Sequence, residues 1–438
     1  MPTPHKAVTN MTTPALLLLL LLIFSINAEA SSSVPPSNTF TFVNDGEFGP
    51  YVVEYDAYYR VLPLAASPFQ LCFYNTTPDA FTLALRMGTT RSESLFRWVW
   101  EANRATPVRH NATFSLRPDG NLVLADADGR VVWQSATAHS GVVGFKILPI
   151  GNMVLYDSDG KYVWQSFDHP TDTLLVGQSL RVGGSDRLVS RVSDSDNSEG
   201  PYSLVLEPKR LALYYKSETS PKPFLYYEFV FNSKLENITF DSHPETDEAY
   251  AFDITWETSG VSWILARPKY NSTLSFIRVG SDGNVRIYTF YDNVDWGAWE
   301  ETYTLFSRES READECQLPE RCGRFGLCED SQCVGCPTPK GLKGWSKECG
   351  PLKVGSCGAK EFEYYKMEGV DHFMSKYSRG SGPVKEEECR MKCSKDCKCL
   401  GYFYHRVGSR CWIAYDLKTL TRVTNSTHLG FIKAPTKH

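Results

Sequence analysis

The chain has little of what most enzymes and nucleic-acid-binding proteins depend on. Its 438 residues include nine histidines, which do not cluster along the sequence, and the formal net charge is −5 without a basic stripe. That charge pattern argues against nucleic acid or an anionic membrane as a partner. The sequence has no phosphate-binding loop, zinc-protease helix or nucleophile elbow. We therefore predict a protein that is not an enzyme, with no catalytic residue, no cofactor and no metal site.

Long apolar runs are also scarce. The main run, residues 15–26, follows His5 and Lys6 and precedes the small-residue pattern Ala28-Glu29-Ala30. It is too short for a stop-transfer helix, and its order of charged, apolar and small residues is typical of a secretory signal peptide. We predict a signal peptide over residues 1–30, a secreted protein and no membrane anchor.

Cysteine is nearly absent from most of the chain. Cys72 is alone before residue 316, and twelve more cysteines lie between Cys316 and Cys411. An even, dense set in a secreted chain predicts disulfides rather than zinc sites, although the sequence does not give their pairing. The predicted disulfide cysteines are Cys316, Cys322, Cys328, Cys333, Cys336, Cys349, Cys357, Cys389, Cys393, Cys397, Cys399 and Cys411. For Cys72 a buried free thiol is expected, and an intermolecular disulfide is the alternative.

Sequons for N-linked glycosylation agree with a secreted protein. Five of them follow the predicted cleavage point, at Asn75, Asn111, Asn237, Asn271 and Asn425.

An internal repeat is the most informative feature that is present. Residues 117–135, RPDGNLVLADADGRVVWQS, align with residues 148–166, LPIGNMVLYDSDGKYVWQS, at an offset of 31. A weaker third copy lies upstream, and Trp100, Trp133 and Trp164 fall at spacings of 33 and 31. Alternating apolar residues around Asp-Gly turns predict antiparallel hairpins. Three such units around a pseudo-three-fold axis would bring the tryptophans into one core.

Similar alternation continues to residue 305. Strands are predicted at 201–207, 210–216, 225–231, 261–267 and 281–292. The last begins with Asp282-Gly283-Asn284-Val285, which resembles the repeat, and we therefore predict a diverged second prism.

The cysteine-rich tail divides into two groups of six. The first group has almost no apolar core around it and needs its disulfides for stability. The second contains the predicted helix 384–393, in which Cys389 and Cys393 lie one turn apart on one face. Cys333 and Cys336 have the spacing of a redox motif, but without a βαβ context we interpret them as structural.

These motifs resemble those of a known family. Asn121-x-Val123 and Asn152-x-Val154-x-Tyr156 match the second half of the mannose-binding signature Gln-x-Asp-x-Asn-x-Val-x-Tyr of bulb-type plant lectins. Residues 164–178, 321–328 and 389–399 resemble, in the same order, the segment after the lectin domain, the EGF-like module and the PAN/apple module of S-locus-type glycoproteins. Among these, the kinase-free secreted glycoproteins of plant epidermis fit best.

The resemblance implies a mainly β fold with tandem β-prisms. After the signal peptide we expect a bulb-type lectin domain at 39–165 and a second, S-locus-glycoprotein-like β-prism at 166–305. A small disulfide-rich EGF-like module at 310–350 and an α+β PAN/apple domain at 357–435 would follow.

The resemblance also implies carbohydrate sites on two repeats, both degenerate. The family binds sugar hydroxyls with Gln, Asp, Asn and Tyr and packs Val on the sugar carbons. The matching candidates are Asp119, Asn121, Val123, Asn152, Val154 and Tyr156. Each lost hydrogen bond removes roughly 0.5–1.5 kcal/mol from a complex that has only about 4 kcal/mol at millimolar affinity, so binding should be weak. The alternative is that Asn121 and Asn152 are kept because they shape the turn and the strand entry.

Two further patterns are interpreted as turns. Residues 168–172, DHPTD, resemble an acid–base constellation, but they combine turn-forming residues. Four aspartates at the hairpins could suggest calcium, and are more simply turn residues: Asp126, Asp128, Asp157 and Asp159.

Two functions of different classes remain. The favoured one is a secreted, non-catalytic glycoprotein of the plant cell wall that recognises cell-wall or glycoprotein glycans, mannose-type among them, by weak multivalent binding. The alternative is a module that contacts extracellular proteins through its PAN/apple and β-domain surfaces, without sugar binding. The retained Asn-x-Val-x-Tyr favours the first, and the degenerate sites favour the second.

Overall fold

The structure is a computed structural model that describes residues 33–89, 95–220, 222–246, 249–255, 262–265, 273–292, 299–310, 313–354 and 361–436. The predicted signal peptide, Asn271 and Cys357 lie outside these ranges. Among the described residues, none of the helices is long and apolar enough to cross a membrane.

Three antiparallel sheets form the N-terminal part of the chain. One sheet has the order β2-β3-β4-β5, with strands Tyr58–Ala66, Phe69–Thr77, Ala80–Met87 and Arg97–Glu101. The next has the order β1-β6-β7-β8, with strands Phe40–Val43, Thr113–Leu116, Leu122–Ala125 and Val131–Gln134. The third has the order β11-β10-β9, with strands Tyr162–Gln165, Met153–Tyr156 and Gly144–Ile147.

The three tryptophans meet as the repeat predicts. The ring centroids of Trp100 and Trp133, and of Trp133 and Trp164, are 5.8 Å apart, and those of Trp100 and Trp164 are 6.2 Å apart. All three pairs are edge-to-face, the arrangement that aromatic quadrupoles favour. Each sheet therefore contributes one ring to a shared, three-fold-like core.

A second set of three four-stranded sheets follows, as the predicted diverged prism requires. The first has the order β12-β21-β22-β23, with strands Thr173–Leu175, Ser275–Val279, Val285–Phe290 and Trp299–Thr304. The second has the order β13-β18-β19-β20, with strands Ser179–Arg181, Asn237–Thr246, Ala249–Thr255 and Ser262–Ile264. The third has the order β14-β15-β16-β17, with strands Arg187–Arg191, Glu199–Glu207, Arg210–Tyr215 and Phe224–Val230.

The cysteine-rich tail contains two sheets and two short helices. A five-stranded sheet has the order β26-β25-β24-β31-β28, with strands Gly341–Lys343, Gln332–Thr338, Phe325–Glu329, Lys418–Arg422 and Val370–His372. A four-stranded sheet has the order β27-β32-β29-β30, with strands Phe362–Glu368, His428–Pro435, Gly401–His405 and Arg410–Ala414. The helices are α1, Phe373–Tyr377, and α2, Glu386–Lys395. Helix α2 is the helix predicted from sequence, and it buries Cys389 and Cys393.

The pairing of β24 with β31 is parallel and joins the two cysteine-rich groups in one sheet. Cys322 N also donates to Thr419 Oγ1 (2.9 Å), and Thr421 Oγ1 donates to the carbonyl of Cys316 (3.0 Å). The two groups therefore share their backbone hydrogen bonding, although the sequence suggested separate modules.

Disulfides form within each group. Five are described: Cys316–Cys328, Cys322–Cys333, Cys336–Cys349, Cys389–Cys411 and Cys393–Cys399. Cys397 is also disulfide-bonded. Cys333 and Cys336 have different partners, so they are structural cysteines rather than a redox pair.

Cys72 is a free, fully buried thiol on β3. Burial raises the pKa of this thiol to about 12. A thiol of that kind is inert, because the thiolate is the reactive form. The structure therefore favours a packing role over an intermolecular disulfide.

A buried ion pair connects the two sets of sheets. Glu54 lies just before β2, and its carboxylate accepts hydrogen bonds from Arg278 Nη1 on β21 at 2.9 and 3.1 Å. Glu54 also pairs with Arg97 and accepts from the backbone N–H of Trp98 (3.0 Å). Arg278 Nη2 in turn donates to the carbonyl oxygen of Trp98. Charges that are buried in this way are stable only while their partners remain.

Apolar contacts cross the same border. Leu175, Phe276 and Phe290, from strands β12, β21 and β22, belong to the hydrophobic cluster that also contains Trp100 and Trp164. The second set of sheets thus supplies part of the core of the first.

Candidate functional site

The candidate sugar-binding residues lie on β7 and β10 and in the turns before them. In β10, Val154 is opposite Lys146 on β9 and Gln165 on β11, and Tyr156 is opposite Gly144 and Tyr162. Alternate residues of a strand share one face, so Asn152, Val154 and Tyr156 point to the same side. The structure therefore brings the second-repeat candidates together along one strand face.

The side chains of Asn121 and Asn152 are buried and hydrogen-bonded to other side chains of the protein. Asn121 Nδ2 donates to Gln134 Oε1 (2.8 Å), and Asn121 Oδ1 accepts from Ser135 Oγ and Thr137 N, both at 3.2 Å. Asn121 is 6% exposed.

The second repeat reproduces this pattern. Asn152 Nδ2 donates to Gln165 Oε1 (2.9 Å), and Asn152 Oδ1 accepts from Ser166 Oγ and Phe167 N, both at 3.3 Å. Asn152 is 4% exposed. These bonds tie each strand entry to the strand that follows the hairpin, which is the structural role considered as the alternative for both residues.

Val123 and Val154 are fully buried. A sugar could reach their methyl groups only after neighbouring side chains moved. Asp119 is half-buried, and its Oδ1 accepts from Asn121 N (2.9 Å), as in an Asx turn. Of the six candidates, Tyr156 is therefore the one whose ring is available without rearrangement.

Tyr156 is held in place by its neighbours. A Cβ at Gly144 would lie 2.5 Å from Tyr156 Oη, so only glycine leaves room for the tyrosine ring there. Lys146 Nζ lies 4.9 Å from the centroid of the Tyr156 ring and 5.8 Å from that of Tyr162, within cation–π range. Tyr162 is 41% exposed. We call Lys146, Tyr156 and Tyr162 the β10 aromatic surface.

The glutamine partners were not identified from the sequence. Gln134 and Gln165 belong to the Trp-Gln-Ser segment that both repeats contain. The repetition of Trp-Gln-Ser in both repeats could have identified these residues from the sequence. The segment supplies both the core tryptophan and the side chains that hydrogen-bond to the asparagine amide.

The DHPTD segment is part of the structural framework. Asp168 accepts from Gln165 Nε2 (3.0 Å), and the ring of His169 stacks on Trp164 with centroids 5.4 Å apart. The carbonyl of His169 accepts from Trp100 Nε1 (3.0 Å). These contacts fit the turn that the sequence predicted.

The aspartates of the hairpins also accept hydrogen bonds from the backbone. Asp126 Oδ1 accepts from the backbone N–H of Arg109 (2.8 Å), and Asp157 Oδ1 accepts from Asp159 N (3.0 Å) and Lys161 N (2.9 Å).

The described sequons differ in exposure. Asn111 and Asn425 are exposed, Asn237 is half-buried and Asn75 is 5% exposed. Asn75 Nδ2, the atom to which a glycan attaches, donates to the carbonyl of Thr77 (3.1 Å).

We expect glycans on Asn111 and Asn425 and none on Asn75, because a glycan at Asn75 would break this bond and displace β3. Mass spectrometry after enzymatic deglycosylation in heavy-oxygen water reports the occupancy of each sequon. Full occupancy of Asn75 would contradict the prediction and would mean that the polar cleft lined by Asn75 and residues 195–198 admits a sugar.

Two histidines that are separated in the sequence meet in three dimensions. His405 and His428 lie on adjacent strands, and each has a ring nitrogen within hydrogen-bonding distance of Asp371. Sequence spacing could not reveal this, because Asp371 is separated by 34 residues from His405 and by 57 from His428.

Comparison with known proteins identifies two domain families in the chain. Residues 97–193 match the family described as D-mannose binding lectin, and residues 357–417 match the PAN-like domain. EP1-like glycoprotein 3 of Arabidopsis thaliana is 51% identical over 424 residues, which cover 95% of this chain and 96% of that protein. Epidermis-specific secreted glycoprotein EP1 of Daucus carota is 58% identical over 360 residues, or 77% of this chain and 92% of that protein. A G-type lectin S-receptor-like serine/threonine-protein kinase of Arabidopsis thaliana is 26% identical over 369 residues, which cover 76% of this chain and 38% of the kinase.

Proposed function

Because the chain belongs to the family of EP1-like secreted glycoproteins, we propose that it recognises glycans of the plant cell wall or of glycoproteins, without catalysis, through its β10 aromatic surface. The protein is extracellular, disulfide-bonded and carries a lectin domain.

One observation carries the proposal: Tyr156 stands on a strand face with Lys146 beside it and the exposed Tyr162 across from it. Aromatic rings of this kind cover the apolar face of a sugar, and a cationic or hydroxyl group nearby orients its polar groups. Because Asn152 is committed to Gln165, the surface supplies few additional hydrogen bonds. We therefore propose weak single contacts that become effective when many glycans are presented together.

Tyr156→Ala tests this role without disturbing the buried asparagine. Loss of one aromatic contact should cost roughly 0.5–1.5 kcal/mol, or about 2–10-fold in affinity for a single sugar. The measurement is glycan-array binding of the secreted, oxidised protein at high and low glycan density. Binding should be strongest at high density and should fall in the variant.

The matched control is Tyr58→Ala, which removes an exposed tyrosine from the first sheet. It should bind glycans as the wild type does. Equal loss in both variants, or no binding by the wild type on cell-wall and mannose-containing glycans, would sink the proposal.

A second candidate function is supported by a different surface. Phe48, Tyr51, Val52, Tyr58 and Val61 are all exposed, and the rings of Phe48 and Tyr58 lie 5.2 Å apart. Exposed apolar side chains that lie together mark contacts for other proteins, and the Phe48–Tyr58 pair is a candidate contact of this kind. Cross-linking in cell-wall extracts that depends on Tyr58, together with silent glycan arrays, would favour this function over sugar recognition.

A further inference from the structure

Three side chains with metal-ligand chemistry converge at the junction of the two C-terminal sheets. His405 ends β29 and His428 begins β32, and these two residues are directly opposite in the antiparallel register. Asp371, on β28 of the neighbouring sheet, faces both. His405 Nε2 lies 2.8 Å from Asp371 Oδ1, and His428 Nδ1 lies 2.9 Å from Asp371 Oδ2.

The ligand atoms are close enough to share one ion. One oxygen of Asp371 and one nitrogen of each histidine lie within 4.8 Å of one another. The imidazole rings stack with centroids 3.7 Å apart and planes inclined by 17°, so both nitrogens face the same carboxylate. Ligand–metal distances of about 2.0–2.2 Å require each group to move inward and the two stacked rings to turn toward one ion.

The surroundings hold the histidines in place. The ring of His405 packs on Trp412 with centroids 4.4 Å apart, and Trp412 Nε1 donates to Ser378 Oγ (2.8 Å) and to its carbonyl oxygen (3.0 Å). This packing restricts the His405 ring at its position beside Asp371.

Charge and access also suit a cation. Asp371 supplies a carboxylate oxygen and the histidines supply two imidazole nitrogens, and metal binding would replace the contacts that these nitrogens make with Asp371. The three residues border a cavity of about 320 Å³ that Gln317, Lys376 and Thr421 also line. Lys376 Nζ is bonded to Gln317 Oε1 at 2.7 Å.

We propose that Asp371, His405 and His428 form a binding site for a divalent transition-metal ion of the zinc type, with one coordination position open toward this cavity. Two imidazoles and a carboxylate suit zinc, whereas calcium and magnesium prefer sites built from oxygen alone. Three protein ligands and an open position leave room for water or an anionic group of a ligand. The site is distinct from the β10 aromatic surface and does not depend on it.

The test uses full-length secreted protein without a polyhistidine tag, freed of metal with a chelator. Calorimetric titration with Zn²⁺ should show one saturable site per chain, and Ca²⁺ should not compete for it. Co²⁺ should occupy the same site and give visible absorption bands typical of a nitrogen- and oxygen-ligated ion. Absence of saturable Zn²⁺ binding by the wild type would overturn the proposal.

Variants identify the ligands. Asp371→Asn keeps the shape of the side chain and removes its charge, and His428→Ala removes one imidazole. Each should weaken Zn²⁺ binding at least ~10–100-fold, a range that the loss of outer-sphere partners alone can produce. The matched control is His110→Asn, an exposed histidine near β6, which should bind Zn²⁺ as the wild type does. Unchanged affinity in both site variants would place the metal elsewhere.

A measurement on the wild type tests the site even if the variants fail to fold. Diethyl pyrocarbonate modifies accessible imidazole nitrogens, and mass spectrometry locates the products. Zn²⁺ should protect His405 and His428 from modification and leave His110 reactive. Equal modification of His405 and His428 with and without Zn²⁺ would contradict the site.

Discussion

Arg278→Met is expected to lower the free energy of unfolding by roughly 3–5 kcal/mol, because it leaves the Glu54 carboxylate buried without its main partner. Arg278 Nη1 contacts both carboxylate oxygens of Glu54, and Nη2 donates to the carbonyl of Trp98. Methionine fills a similar volume, so the loss would report the charge and its hydrogen bonds rather than a cavity. Urea unfolding followed by tryptophan fluorescence measures the change.

Two controls distinguish the effect of breaking the buried Glu54–Arg278 pair from the effect of losing any arginine. Arg181→Met breaks an exposed contact with Asp168 (3.5 Å), for which about 0–1 kcal/mol is expected. The double variant Glu54→Gln, Arg278→Met should be less destabilised than the sum of its single variants, since neither charge is then left alone. A destabilisation by Arg278→Met no larger than that by Arg181→Met would show that the pair is not important for stability.

The same pair predicts a dependence on pH. Burial acts to raise the pKa of Glu54, but attraction to Arg278 and Arg97 and the hydrogen bonds it accepts lower it below its usual value. A carboxyl whose pKa is lower in the folded state stabilises the fold above its unfolded pKa, and loses this effect as the pH falls through the folded pKa. The stability gap between wild type and Arg278→Met should therefore be widest near neutral pH and should narrow in acid.

The second large effect is a gain of binding. Leu148→Gln with Ile150→Asp would complete the family signature on the second repeat, where Asn152, Val154 and Tyr156 are already present. Ile150 is 44% exposed and Leu148 is half-buried, so neither change empties the core. Two added hydrogen bonds at roughly 0.5–1.5 kcal/mol each should raise mannose affinity about 5–150-fold.

Titration with mannose and with galactose, followed calorimetrically, tests this gain. Val131→Asp is the matched control, because it places a carboxylate on an exposed apolar position of β8 in the first repeat. Mannose affinity should rise in the double variant and not in the control. No gain over the control would mean that the closed Asn152–Gln165 pair and the buried Val154 prevent a working site.

The strands and the tryptophan core could be predicted because both depend on local pattern. Alternation of apolar residues gives the strands, and the repeat period places Trp133 and Trp164 in equivalent positions. Helix α2 could be located for the same reason, from two cysteines one turn apart. The disulfide pairing could not, because six cysteines allow fifteen arrangements and only three-dimensional proximity selects one.

The candidate sugar site was predictable only in part. Alternation correctly placed Asn152, Val154 and Tyr156 on one face of β10. It could not show that neighbouring strands cover most of that face, so that Val154 is buried and Asn152 bonds to Gln165. Exposure depends on the packing of adjacent hairpins, which a single strand pattern does not contain.

Contacts between residues that are far apart in the sequence could not be predicted at all. Glu54 and Arg278 are 224 residues apart, and each looks like an ordinary surface charge in the sequence. His405 and His428 lie opposite each other because β29 pairs with β32, a strand that is not adjacent to it in the sequence. Such contacts follow from topology, which local periodicity does not determine.

The parallel pairing of β24 with β31 also sets an order of assembly during secretion. Strand β24 is translocated well before its partner, and the bond from Cys322 to Thr419 spans 97 residues. Each of the five described disulfides joins two cysteines that are 6 to 22 residues apart in the sequence. Each can therefore form as soon as its own segment enters the lumen. The first cysteine-rich group can thus be oxidised while one edge of its sheet still lacks its neighbour. A chain that ends before β31 would leave this edge of β24 unpaired, and an unpaired strand edge is a template for pairing with another chain.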